Sequence, residues 1–298
     1  MRPTNSIFAE LPRQSNIEIM ESIKDRLALE SLDARDFVRS MSEAIPKLVD
    51  TTKKYLHDIA SYSKSFVNFL GDTVPAGYKP QEDVHAIVSM LKKQDYANLM
   101  PLGIYVPEGF VGKLAEYAVH ERKCVDHALK LLSGVLNPYN TYLAGLVSSP
   151  DAVKDSATPN LFLKKVDEER DSLNRDEGFF FKPGTTHTRR PMGEVISRMA
   201  DWETVFTQQS AMNAALQGIS NTSVQQAVNT CLELLDAVKQ AAKSGQFDHI
   251  SPANVKSLAS ATLSIAREVE FYAVTRQRVN VFNVALDETS AFLKSALK

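Results

Sequence analysis

The chain has 298 residues, with 34 Lys or Arg against 36 Asp or Glu, a formal net charge of −2, and only 12 Gly. A near-neutral balance leaves no global excess of cations to displace counterions from nucleic acid or to hold an anionic membrane, so general nucleic-acid binding is not expected. Average usage would put glycine near ~7% of residues, and the shortfall disfavours folds that depend on Gly-rich phosphate loops or tight hairpins and favours helices.

Ser15-Asn16-Ile17-Glu18 has the form of a capping box, and Met20, Ile23 and Leu27 follow at helical spacing, which predicts a first helix. A second begins near Asp33 and carries Phe37, Met41, Ile45, Leu48, Tyr55, Ile59, Tyr62, Phe66 and Phe69 to a stop at Gly71, with Pro46 expected to kink or split it. Residues 72–80 read as a loop, and Gln81-Glu82-Asp83 opens a short helix through Val84, Ile87, Val88 and Leu91. Residues 101–107 could hold one brief extended segment, for which the pattern offers no partner strand. From Phe110 a strong stripe of Leu114, Tyr117, Glu121, Val125, Ala128, Leu132 and Val135 runs to Asn137-Pro138 and can re-form through Tyr142 and Leu146.

The texture changes between 148 and 191, where a polar stretch, the charge run Asp167–Asp171 and Phe179-Phe180-Phe181-Lys182-Pro183-Gly184 make the least helical part of the chain. Helical patterning returns with Val195, Met199, Trp202, Phe206, Met212, Leu216 and Ile219. It continues from Asn221 through Val224, Val228, Cys231, Leu235 and Val238 to a stop at Gly245. Ser251-Pro252 then gives an N-cap followed by Pro at the first helical position. From there Val255, Leu258, Thr262, Ile265, Val269, Tyr272, Arg276, Val279, Asn283, Leu286, Ser290, Leu293 and Leu297 recur in steps of three and four. Unbroken, this is a rod of about 45 residues and roughly 65 to 70 Å. Arg276, Asn283 and Ser290 lie seven apart in its seam, as register-setting polar residues do in coiled coils. The rod can pack within a bundle of this chain or against another chain, and the period alone does not separate the two.

Three groups could carry chemistry. His120, Cys124 and His127 share one helix face and are candidate metal ligands, although structural zinc normally takes four ligands and no Glu-x-x-His pair accompanies them. Two histidines around a buried thiol is the plainer reading. Lys182, His187, Arg189 and Arg190, beside Phe179, Phe180 and Phe181, could hold an anion or a protein partner, or could simply clamp an insertion onto the bundle through nearby acid. Arg276 and Asn283 are candidates for contact between chains. Neither a P-loop nor a G-x-S-x-G or H-E-x-x-H motif is present, and no cofactor is expected. Cys124 and Cys231 form neither a disulfide framework nor a CxxC site, which suits a reducing compartment. No apolar run approaches the ~18 residues of a membrane span, and the start Met1-Arg2-Pro3 lacks the apolar core of a signal peptide; the expected setting is cytoplasmic.

The untargeted start, the stripes from Phe37 to Phe69 and from Val255 to Leu297, and the Phe-rich break between them resemble the helical virion components of large tailed bacteriophages. That resemblance implies a particle-associated structural role with many symmetric contacts, and a place in the virion. The sequence thus predicts an all-α, elongated multi-helix bundle with long antiparallel helices and an irregular insertion. It divides into an N-terminal helical portion (1–147), a connector (148–191) and a C-terminal helical portion (192–298). The expected function is non-enzymatic: a structural or assembly protein with protein partners, as a homo-oligomer or in a larger assembly. Two alternatives are a helical regulatory, adaptor or inhibitor protein, and a metal-binding protein or enzyme using His120, Cys124 and His127.

Overall fold

The computed structural model describes residues 43, 45–54, 56, 80–107, 109–149, 164, 168, 187–218, 221–247 and 252–297. Among them helices dominate, as the glycine shortage implies, and strands are confined to one two-stranded sheet. The helix expected around Ser15 lies outside the described residues, as do Phe179, Phe180, Phe181 and Lys182. Of the second helix, positions 45–54 are helical, with Ile45, Leu48 and Val49 buried.

Helix α1 (Pro80–Leu91) and the single turn α2 (Tyr96–Leu99) lead into strand β1 (Gly103–Pro107). The Asp95 carboxylate caps α2 by accepting from the Ala97 N–H at 3.1 Å. Helix α3 (Leu114–Leu131) passes through a π turn (Leu132–Leu136) directly into α4 (Asn137–Ser148). Pro138 explains why regular helix fails here: it has no N–H to offer the carbonyl of Gly134, and its ring crowds that turn.

Strand β2 (His187–Pro191) leads through the turn α5 (Met192–Val195) to α6 (Met199–Gly218), followed by α7 (Asn221–Lys243) and α8 (Pro252–Ala296). The Asp201 carboxylate reaches back to the N–H groups of Ser197 and Arg198, both at 3.1 Å, and closes the start of α6. α7 stops where expected: Gly245 takes φ +76°, and the N–H groups of Gln246 and Gly245 bond the carbonyls of Ala241 and Ala242 in a Schellman motif.

Two hydrophobic cores result. The first joins segment 45–56, α4, α7 and the first half of α8, with Tyr139, Leu143, Leu235 and Ala266 at its centre. The second joins α1, β1, α3, α6 and the second half of α8 around Trp202, Tyr117, Phe206 and Phe282. Each core draws on both sides of the 148–191 connector, and the half-buried Leu129 and Leu216 touch both. α8 is the shared element. Tyr117 meets Phe282, Glu121 meets Arg278, His127 meets Phe271 and Tyr139 meets Thr262, so contacts that climb α3 and α4 descend α8.

The long helix is therefore covered by its own chain. Of the α8 residues before Glu288 whose side chains are described, none is exposed. Leu258, Ile265, Tyr272, Val279, Leu286 and Leu293 are buried, as the seven-residue pattern predicts. A second buried row is Asn254, Ala261, Glu268, Thr275, Phe282 and Thr289; in the first half of α8 the expected Thr262 and Val269 are buried beside it, and in the second half it replaces the expected Arg276, Asn283 and Ser290, which are only half-buried. A pattern read from apolar residues misses this row because most of its members are polar and become buried only with partners.

Candidate functional site

Between the two cores lies a buried ion pair. Glu121 sits in the apolar stripe of α3, and Arg278 faces it from α8, its Nε donating to Glu121 Oε1 at 2.9 Å. Their side chains are 0% and 7% exposed, so the groups act on each other and not on a dissolved substrate. Tyr117, one turn before Glu121, brings its phenol against the same carboxylate, and Cys124 is close enough to be felt by Tyr117 and Arg278. Thr275, one turn before Arg278, accepts a long hydrogen bond from its Nη2 at 3.4 Å.

Burial pushes the Glu121 carboxyl above the ordinary carboxylate range, against the opposing pull of the Arg278 charge. Burial also raises the Tyr117 phenol well above its usual value, helped by the neighbouring Glu121 charge. Burial acts to lower the Arg278 guanidinium, but the Glu121 charge outweighs it and the net shift is upward, so Arg278 keeps its proton. This arrangement is built to fix two helices against each other, because either charge left alone in the interior would be strongly unfavourable.

The second constellation is the sheet. β1 and β2 pair antiparallel, with Ile104 opposite Arg190 and Tyr105 opposite Arg189, so the basic stretch itself supplies the partner strand that residues 101–107 lacked in sequence. On its other side β1 is docked on α8: Thr289 Oγ1 accepts from the Tyr105 N–H at 2.9 Å and donates to the Tyr105 carbonyl at 3.2 Å. Arg190 gives Nε and Nη2 to Glu194 Oε2 at 2.9 and 2.7 Å, and Nη1 to the Phe110 carbonyl at 3.0 Å. His187 Nδ1 lies 2.9 Å from Glu288 Oε2. The Arg189 guanidinium stacks over the Phe292 ring, 4.1 Å from its centroid. Each of these three basic residues thus has an acidic or aromatic partner within the chain, with acid drawn from Glu194 and Glu288.

Gly103 makes the arginine stack possible, since a Cβ there would fall 2.2 Å from Arg189 Nε. Gly103→Ala should therefore push Arg189 off Phe292 at a cost of ~0.5–1 kcal/mol, lowering the thermal midpoint by ~1–2 °C. In a double-mutant cycle the effect should vanish when Arg189 is already Ala; full additivity with Arg189→Ala would sink the assignment.

The candidate metal ligands do not converge. Cys124 is buried beside the ion pair and His120 is half-buried. His127 meets the Phe271 ring edge-on, with centroids 5.6 Å apart. Among the described residues no three His, Cys, Asp or Glu side chains are placed to share a metal ion. Arg276 is half-buried on α8, and the Asn283 amide exchanges hydrogen bonds of 2.8 and 3.2 Å with Asn213 while accepting from Gln209 at 3.1 Å. Arg278 was not legible as a site residue, because it falls between stripe positions. The available signal was Glu121, a charge inside an apolar stripe, which demands a buried partner. No helix among the described residues is long and apolar enough to cross a membrane. Comparison of the chain with protein-family models, with curated proteins and with solved structures finds no match.

Proposed function

We propose that this chain is a non-enzymatic structural or assembly protein: an elongated bundle of long antiparallel helices that acts through protein–protein contacts, as a homo-oligomer or within a larger particle. The resemblance to helical virion proteins of large tailed bacteriophages makes a phage particle the natural setting. The observation that carries this reading is the use of α8. Forty-five residues run unbroken through both cores, and a rod of roughly 68 Å stiffened along its length suits a spacer or scaffold. The internal pairing of Glu121, Arg278, Arg190 and His187 supports the same reading, because these polar groups hold helices and strands together. Partners would meet the outer faces of α1, α3 and α7 and the exposed Met100, Val111 and Val119.

Light scattering after size exclusion, on the full chain over a range of concentrations, tests this. The expected result is a defined species of more than one copy. A protein that stays strictly monomeric at high concentration would overturn self-assembly.

A further inference from the structure

We propose that the π turn Leu132–Leu136 stores a surplus residue that lets two polar contacts between α3–α4 and α8 close together, which makes it a slip point where the core around Trp202 can advance against the other. The two contacts bracket the turn. On one side Arg278 Nε holds Glu121 at 2.9 Å; on the other the Tyr139 hydroxyl meets Thr262 Oγ1 at 2.5 Å, and that threonine also donates to the Leu258 carbonyl at 2.7 Å.

Eighteen residues separate Glu121 from Tyr139, but only sixteen separate Thr262 from Arg278. In regular α-helix the surplus is ~3 Å of rise. A π turn closes rings of i→i+5 and takes in one extra residue, so it draws the longer run back by about half of that difference. Pro138 accounts for a weak place in the helix, but a proline kink needs no added residue. The turn packs against both α7 and α8, at the join of the two cores. Opening the contact at Glu121 removes one of the two constraints that hold the surplus in place.

Two single-residue deletions in the full chain test the surplus. Gly134 lies inside the turn and has no side chain to lose, and Lys123 is exposed on α3 between Glu121 and His127. Removing Gly134 should leave helical circular dichroism unchanged, keep the thermal midpoint within ~4 °C of the parent, and slow amide exchange in 128–137 about tenfold. Removing Lys123 rotates the following turns by ~100° and carries Cys124, Val125 and Ala128 off the core, so the midpoint should fall by more than ~10 °C or folding should fail. A Gly134 deletion as damaging as the Lys123 deletion overturns the proposal. The slip is tested by exchange in Glu121→Met/Arg278→Met: amides of 132–136 should exchange about tenfold faster than in the parent while those of 139–146 stay unchanged. Unchanged exchange in the turn overturns the slip. If that double variant does not fold, the same exchange measurement on Tyr139→Phe, which opens the other of the two contacts, decides the slip: unchanged exchange in 132–136 there overturns it.

Discussion

Replacing Arg278 with Met is expected to destabilise the protein by ~3–5 kcal/mol, because it strands the Glu121 carboxylate in an interior where its side chain has no access to water. For a chain of this size that is a fall of roughly 5–8 °C in thermal midpoint. Replacing both partners, as Glu121→Met/Arg278→Met, should return the midpoint to within a few degrees of the parent or above it, since two apolar side chains of similar length fill the same space without desolvating a charge. Additive losses in the double variant would show that the pair contributes through separate contacts and not through each other.

The acid side of the same pair has a definite sign. The Glu121 carboxyl is held above its ordinary value of 4.5, chiefly by burial. A carboxyl raised in the folded state contributes stability that is complete below its unfolded value and is lost as pH rises through the folded one. Measured against Glu121→Gln, the parent should therefore lose relative stability as pH is raised from below 4.5. A relative gain over that range would mean that Arg278, and not burial, dominates the carboxyl.

A proline at Val274 should separate the two cores. Val274 lies on α8 between Tyr272, in the first core, and Val279, in the second. Proline there removes the N–H directed at the Glu270 carbonyl and clashes with that turn, a loss of ~3 kcal/mol or more. Trp202 is the one tryptophan of the chain and is fully buried in the second core, stacked on Phe206 with centroids 5.5 Å apart. In the parent, Trp202 fluorescence and helical circular dichroism should therefore unfold together. In Val274→Pro the fluorescence should report a transition of its own, distinct from part of the loss of helix. Coincident transitions in the variant would show that α3, Leu129 and Leu216 suffice to couple the cores without α8.

Much of this architecture was legible because it depends on local chemistry. The start of α8 at Pro252, the stop at Gly245 and the irregular turn before Pro138 follow from what proline and glycine backbones can adopt, whatever surrounds them. The 3.6-residue recurrence of apolar side chains likewise placed α3, α7 and α8. The basic stretch was harder. His187, Arg189 and Arg190 have no apolar alternation, so nothing local marks them as the strand that completes β1; besides Glu194, four residues from Arg190, their partners are Glu288, 101 residues from His187, and Phe292 beyond it, while Thr289 holds β1 from 184 residues away. The same holds for the ion pair, whose members stand 157 residues apart.

By itself, then, the sequence determined that the described part of the chain would be mostly helical, roughly where α1, α3, α6, α7 and α8 would begin and end, and that one helix would be exceptionally long. These properties rest on composition, capping and periodicity, all readable within a few turns. Only the tertiary structure decided which polar row of α8 would join its apolar stripe in the interior, that its covering would come from its own chain, and that Glu121 would find Arg278. Polar side chains enter a core only where a partner already waits, and a partner's position is a property of the packed chain. Near-neighbour patterning carries no record of it, which is why the row at 254, 261, 268, 275, 282 and 289 became visible only once the helices were set against one another.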